Sequence, residues 1–243
     1  MNERKIALVT GANKGIGYEV ARSLAENGLT VFLGARDAAR GEAAANTLAA
    51  EHLDVRPLLL DLSRPETIHA AAATIGGAYQ RLDVLVNNAG INDSDDGPPG
   101  SIDIDAVRRV FDTNFFGTVL VTQVMLPLLR NSASGRIVNV SSGLGSLNFM
   151  ASPAGSAVAL GDLFGYSASK AALNMFTVQL ARELKEAGIL VNSAAPGYTA
   201  TDLNNHQGLQ TVEEGARVPV QLALLPPDGP TGGYFDKNGV KPW

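Results

Sequence analysis

An α/β protein built on one doubly wound parallel sheet is the fold class this sequence predicts, and three observations predict it. Short apolar runs without polar alternation recur along the chain. Stretches rich in Ala, Glu and Arg, long enough for helices, separate them. No linker-like change of composition divides the 243 residues, so a single domain over 1–243 is expected. Unalternated runs of Val, Leu and Ile are what parallel strands covered on both faces require. Regular strand–helix alternation makes βαβ units, whose crossovers assemble one layered sheet with helices on both faces.

Strands are predicted at 5–10, 30–34, 55–60, 83–87, 136–141 and 189–194, with a last one near 233–236. Helices are predicted at about 15–27, 37–51, 65–79, 104–129 and 166–187, and a last near 212–224. Ser63 followed by Pro65 and Glu66 has the chemistry of a helix start. The irregular stretches 92–101 and 143–165 follow the fourth and fifth strands. Both should emerge at the carboxyl edge of the sheet, where open α/β folds bind ligands.

Composition excludes several functions. The net charge is −5 and no block of Lys and Arg supplies the basic face of a nucleic-acid binder. Cysteine is absent, which removes disulfides and thiolate metal sites. Residues 6–9 are too short an apolar run for a signal-peptide core, and nothing approaches the roughly 18 apolar residues of a membrane span. A cytoplasmic protein with no membrane partner is expected. His52, His69 and His206 lack metal-ligand spacing, and no Gly-x-Ser-x-Gly elbow marks a hydrolase. Asp93, Asp95 and Asp96 beside Gly97-Pro98-Pro99 read as a solvated loop rather than a cation site.

The first strand runs into Thr10-Gly11-Ala12-Asn13-Lys14-Gly15-Ile16-Gly17 and then a helix. Glycines there permit a tight turn and let backbone N–H groups approach a pyrophosphate, with the helix N-terminus adding its positive dipole end. The end of the second strand selects the dinucleotide. A carboxylate there would bind a free ribose 2′-hydroxyl, whereas a cation accommodates a 2′-phosphate. The strand ends Gly34-Ala35-Arg36, so no carboxylate stands at Ala35, and Arg36 offers a charged planar fork. Lys14 adds a second cation. NADPH is therefore the expected cofactor. Asp37 either pairs with Arg36 or caps the following helix. Asp61-Leu62 after the third strand, and Asn88, Ala89 and Gly90 after the fourth, are expected along the adenine side of the same crevice.

Thr-Gly-x-x-x-Gly-x-Gly at 10–17, Asn-Asn-Ala-Gly at 87–90, Ser142, Tyr166-x-x-x-Lys170 and Pro196-Gly197 resemble, in order, the short-chain dehydrogenase/reductase family. The resemblance spans almost the whole chain. The segments 196–202, 211–216 and 222–226 look like the carbonyl reductase branch. This resemblance implies a Rossmann-type seven-stranded sheet and a catalytic tetrad at Asn114, Ser142, Tyr166 and Lys170. It implies that Asn114 supports a water-borne proton relay, and it favours Ser142 over the neighbouring Ser141. It also extends the cofactor contacts to Pro196, Gly197, Thr199 and Thr201, and to the ribose through Tyr166 and Lys170.

Tyr166 and Lys170, four apart on a helix, face the same way. A free phenol titrates near 10, and a neighbouring ammonium favours its ionised form, lowering that value. Tyr166 can then serve as general acid in reduction or general base in oxidation, while the Ser142 hydroxyl polarises a carbonyl. The expected reaction is NADPH-dependent reduction of a small ketone or aldehyde. The rivals are a 3-oxoacyl-type reductase, an alcohol dehydrogenase working oxidatively, and a nucleotide-binding sensor without turnover. Leu147, Phe149, Met150, Tyr198 and Leu203 suggest an apolar pocket. Ser142 and Tyr166 stand 24 positions apart, about twice the usual family spacing. The resemblance to the carbonyl reductase branch implies an insertion there that tends to cover the helix face used for tetramers, so a monomer is expected.

Overall fold

The computed structural model describes residues 4–156 and 163–243. Its sheet runs β1 (Ile6–Val9), β2 (Thr30–Ala35), β3 (Val55–Leu59), β4 (Val84–Asn87), β5 (Arg136–Val140), β6 (Leu190–Ala194), β7 (Tyr234–Asp236) and β8 (Gly239–Lys241). The spatial order is β3-β2-β1-β4-β5-β6-β7-β8, parallel throughout except for the antiparallel β7–β8 pair. The order reverses between β1 and β4, the switch point at which doubly wound sheets open a crevice.

The helices are α1 (Gly15–Glu26), α2 (Ala38–Ala50), α3 (Pro65–Tyr79), α4 (Ile104–Phe111), α5 (Thr118–Arg130), α6 (Leu147–Met150), α7 (Pro153–Ser156), α8 (Phe164–Glu183) and α9 (Val212–Ala223). Alternate strand residues feed opposite faces. Ala7, Val9, Val31, Leu33, Val84 and Val86 pack on the side of α1, α2 and α9. Ile6, Leu8, Phe32, Leu85 and Ile137 pack on the side of α3, α5 and α8. Every residue of β1, β2, β4, β5 and β6 is buried. Two covered faces are the reason these strands are apolar without alternation.

The structure departs from the sequence reading in its strand count and in the helix expected over 104–129. The sheet has eight strands rather than seven: β8 returns through the two-residue turn Lys237-Asn238, and Gly239 takes φ +104°. An exposed strand of three residues has no apolar run to announce it. The single helix expected over 104–129 is interrupted by a π-helical turn at Asp112–Gly117, a widening common at functional sites. α3 starts at Pro65 as expected, with Glu66 in its first turn and Arg64 as N-cap, while Ser63 donates its hydroxyl to Asp61 at 2.7 Å. Among the described residues no helix is long and apolar enough to cross a membrane.

Candidate active site

Two turns at the carboxyl edge of the sheet are stitched together. The Thr10 hydroxyl accepts from the N–H groups of Asn88 (3.0 Å) and Ala89 (2.9 Å). The Asn88 amide donates back to the carbonyls of Thr10 (2.9 Å) and Gly11 (3.1 Å). A Cβ on Gly17 would lie 2.3 Å from that amide nitrogen, so α1 can start this close to the β4 turn only without a side chain there. Part of the glycine pattern therefore serves protein packing. Gly15 differs: its φ is +60°, and a Cβ there would meet only Thr201, at 3.6 Å. Asn13 is half-buried beside it, and Ile16 packs against the core of that face.

These residues fit a dinucleotide phosphate. The first N–H groups of a helix have no partner within it. α1 begins with neither a side-chain cap nor an acidic residue in its first turn, which leaves its positive end open to an anion. Arg36, exposed at the end of β2, makes no hydrogen bond or ion pair with the described residues. Asp37 caps α2 by accepting from Arg40 N–H at 3.0 Å, which settles the choice left open for it. Lys14 is not free in the same way. Its ammonium is paired with Asp202, which also pairs with His206 at 2.9 Å.

The other expected cofactor residues divide. Asp61 accepts from both the backbone and the hydroxyl of Ser63, and Leu62 is buried against Gly117. Both are thereby engaged in the entry to α3 and the packing beneath it. Pro196 and Gly197 form the turn after β6, with Gly197 at φ +84°. Thr199 points inward against Gly215 of α9, whereas Thr201 faces Gly15 across the crevice.

The four tetrad positions converge. Ser142, just past β5, stands close enough to the Tyr166 phenol to favour its ionised form, and its hydroxyl accepts from Leu144 N–H at 3.2 Å. Ser141 is buried with its hydroxyl unpartnered among the described residues, so Ser142 is the serine beside the tyrosine. Lys170, buried one turn further along α8, donates to the Val140 carbonyl at 2.9 Å. Its nitrogen lies 5.6 Å from the centre of the Tyr166 ring, within cation–π range. Asn114, in the π-helical turn, holds Ile91 through N–H to Oδ1 (2.8 Å) and Nδ2 to carbonyl (3.0 Å), and reaches Ser169 at 3.1 Å. It is thus a buried, satisfied amide. A Cβ on Gly90 would meet both its Oδ1 and Lys170 Nζ at 3.4 Å, so the amide and the ammonium share one small space.

Burial pushes the Tyr166 phenol above its ordinary value, and the Ser142 hydroxyl pulls the other way. Burial is the larger of the two effects, so the direction is opposite to the lowering that the four-residue spacing suggested. The tyrosine is consequently protonated at neutral pH, the form a proton donor needs. Burial also pushes Lys170 down, to about 8. The unfolded chain holds that proton to about 10.5, so between these values the unfolded state binds more protons and stability rises with pH. Against a Lys170→Met variant, the wild type should gain about 3 kcal/mol across that window in chemical denaturation. A flat difference would mean that the ammonium is hydrated.

The segment after Ser142 is held by the end of the chain. Tyr234 donates its hydroxyl to the Ser142 carbonyl at 3.0 Å and stacks on Trp243 at 5.5 Å. Ser146 donates to the Pro242 carbonyl and Asn148 N–H to that of Trp243. No motif pointed to Tyr234, because the contact joins positions 92 apart. Leu147, Tyr198 and Leu203 are exposed, as an apolar rim would be, and Phe149 and Met150 are half-buried. Residues 157–162 of the expected pocket wall lie outside the described residues. Among the described residues no group of three or more His, Asp or Glu could hold a metal.

A parallel sheet with a switch-point crevice, an open helix N-terminus and a Tyr–Lys pair beside it defines a Rossmann-type oxidoreductase. A family profile described as short chain dehydrogenase matches residues 5–211, and the chain belongs to the short-chain dehydrogenase/reductase family. It is 39% identical over 225 residues to the short-chain dehydrogenase anuI of Penicillium roqueforti, covering 90% of this chain and 88% of that one. With NADPH carbonyl reductase 3 of Rattus norvegicus the identity is 38% over 277 residues, covering 98% of each. The solved structure of NADPH-bound carbonyl reductase from chicken fatty liver superimposes with a TM-score of 0.86 at 28% identity, covering 99% of this chain and all of that one.

Proposed function

We propose that this chain reduces the carbonyl of a small ketone or aldehyde to an alcohol, with NADPH as cofactor. Support for the cofactor comes from Arg36 at the end of β2, from the uncapped start of α1, and from the relatives named for NADPH. Once bound, the dinucleotide supplies the hydride. The chain's own residues supply orientation and the proton.

The observation that carries the reading is the Tyr166 phenol with the Lys170 ammonium 5.6 Å from its ring centre and the Ser142 hydroxyl beside it. A carbonyl oxygen placed between the two hydroxyls accepts hydrogen bonds from both. Ser142 stabilises the negative charge that develops on it, and Tyr166 hands over its proton. The phenolate left behind is favoured by the adjacent ammonium, which is mostly protonated at pH 7. Lys170 also reaches the ribose side of the crevice. Asn114 holds the Ile91 backbone and fixes the turn through which the proton is replenished. Arg36 takes the 2′-phosphate; Lys14 joins it only by exchanging Asp202 for the anion.

The test is a panel of ketones, aldehydes, quinones and 3-oxoacyl thioesters, offered with NADPH and with NADH, and the corresponding alcohols offered with the oxidised cofactors. Consumption of NADPH with a carbonyl is the expected result. Tight NADPH binding without turnover on any member would instead make this a sensor.

A further inference from the structure

The first turn of α8 carries Tyr166, and its N–H groups need partners that its own N-cap, Leu163, does not supply. They come from the loop after β4. Phe164 N–H donates to the Gly97 carbonyl at 3.3 Å. Gly165 N–H donates to Asp96 Oδ1 and Tyr166 N–H to Asp96 Oδ2, both at 2.8 Å. One carboxylate thus spans two successive amides 69 and 70 positions away, the second being that of the tyrosine itself. The fit is close. A Cβ on Gly165 would come within 3.2 Å of Asp96 Oδ1, so the carboxylate would have to give way slightly to any side chain there.

Asp96 is itself braced. Its N–H donates to the Asp93 carbonyl at 3.1 Å, and its Oδ1 accepts from Gly97 N–H at 2.9 Å. Asp93 takes two hydrogen bonds from Arg109 of α4, at 2.7 and 3.0 Å, which hold its carboxyl down at about 2. Arg109 also reaches Asp95 at 3.1 Å. The acidic loop is therefore an ordered strut between α4 and the start of α8, not the solvated loop its composition suggested. A negative charge at this end of α8 is favoured by the helix dipole, and ionised acceptors make the shorter, stronger bonds.

We propose that Asp96 is a positioning residue for Tyr166: its carboxylate sets the seat of the first turn of α8 and so the placement of the phenol against Ser142. The inference rests on the reading of Tyr166 as proton donor, and its test keeps the two apart. Asp96→Ala and Asp96→Asn are compared with wild type as kcat per NADPH-binding site, with sites counted by fluorescence titration so that an unfolded fraction does not enter. Amide exchange at Gly165 and Tyr166 is followed alongside.

Asp96→Ala should lower kcat per site roughly tenfold or more, with NADPH affinity changed by less than about twofold. Asp96→Asn keeps one acceptor oxygen and should fall between the two, and it carries the comparison if the alanine variant does not fold. Exchange at both amides should accelerate in each variant. Unchanged kcat per site in a folded variant overturns the proposal, as does a loss confined to the number of binding sites. If the wild type binds NADPH yet turns over no carbonyl, the proton-donor reading falls. The clamp is then decided by exchange alone: acceleration at Gly165 and Tyr166 supports it, and unchanged exchange overturns it.

Discussion

Tyr166→Phe should abolish useful turnover while leaving the cofactor bound. The substitution deletes one oxygen and keeps the ring under Lys170, so the fold of α8 and the crevice is preserved. What it removes is the proton donor and the phenol that stands beside the Ser142 hydroxyl. General acid catalysis is worth roughly 10²- to 10⁴-fold, and kcat should fall by that factor with the NADPH dissociation constant changed by less than about twofold. Stopped-flow reduction of a carbonyl under single-turnover conditions checks it, because slow product release cannot then mask the chemical step. Retained turnover would leave Tyr166 as a packing residue and transfer the proton to another group. The same variant should leave the Ser142 hydroxyl with Leu144 N–H as its partner, while the Ser142 carbonyl keeps its bond from Tyr234.

Arg36→Ala should raise the Michaelis constant for NADPH far more than that for NADH. Among the described residues the guanidinium has no protein partner to lose, so its removal costs the fold little. A hydrogen bond to a charged group contributes about 1.5–3 kcal/mol, which corresponds to roughly 10- to 100-fold in the NADPH constant. NADH lacks the 2′-phosphate and should change by less than about twofold. Equal effects on both cofactors would place Arg36 away from the phosphate. The Lys14–Asp202 pair sets the second cation apart: it is shared between the glycine turn and the loop after β6, and Asp202 is shared again with His206. An Asp202→Asn substitution that released Lys14 would strengthen NADPH binding only if the ammonium can reach the phosphate.

Most of the architecture was legible because it depends on local chemistry. Parallel strands buried on both faces have to be apolar at every position, and the strand cores of β1, β2, β4, β5 and β6 are visible as such runs. Pro65 at the first position of α3 and the capping box of Thr211 and Glu214 on α9 mark their helices by the same logic. The Tyr166–Lys170 spacing states that the two side chains share a helix face, and the structure places the ammonium over the ring. Which of two serines meets the phenol does not follow from spacing. It follows from the way Ser142 caps the short turn after β5 while Ser141 points into the core.

The tetrad was legible only through the family resemblance; by itself the sequence determined most of the strand and helix order, the open glycine turn and the cation at the end of β2. These rest on periodicity, backbone freedom and residue chemistry, which are properties of neighbours in the chain. Only the tertiary structure decided that Asp96 seats the start of α8, that Tyr234 and Trp243 hold the segment of Ser142, that Lys14 is tied to Asp202, and that burial raises the phenol. Each of these is a hydrogen bond, a stacking contact or a desolvation, and most are made between segments tens of residues apart. Such terms exist only once the chain has closed on itself, and no local pattern encodes them.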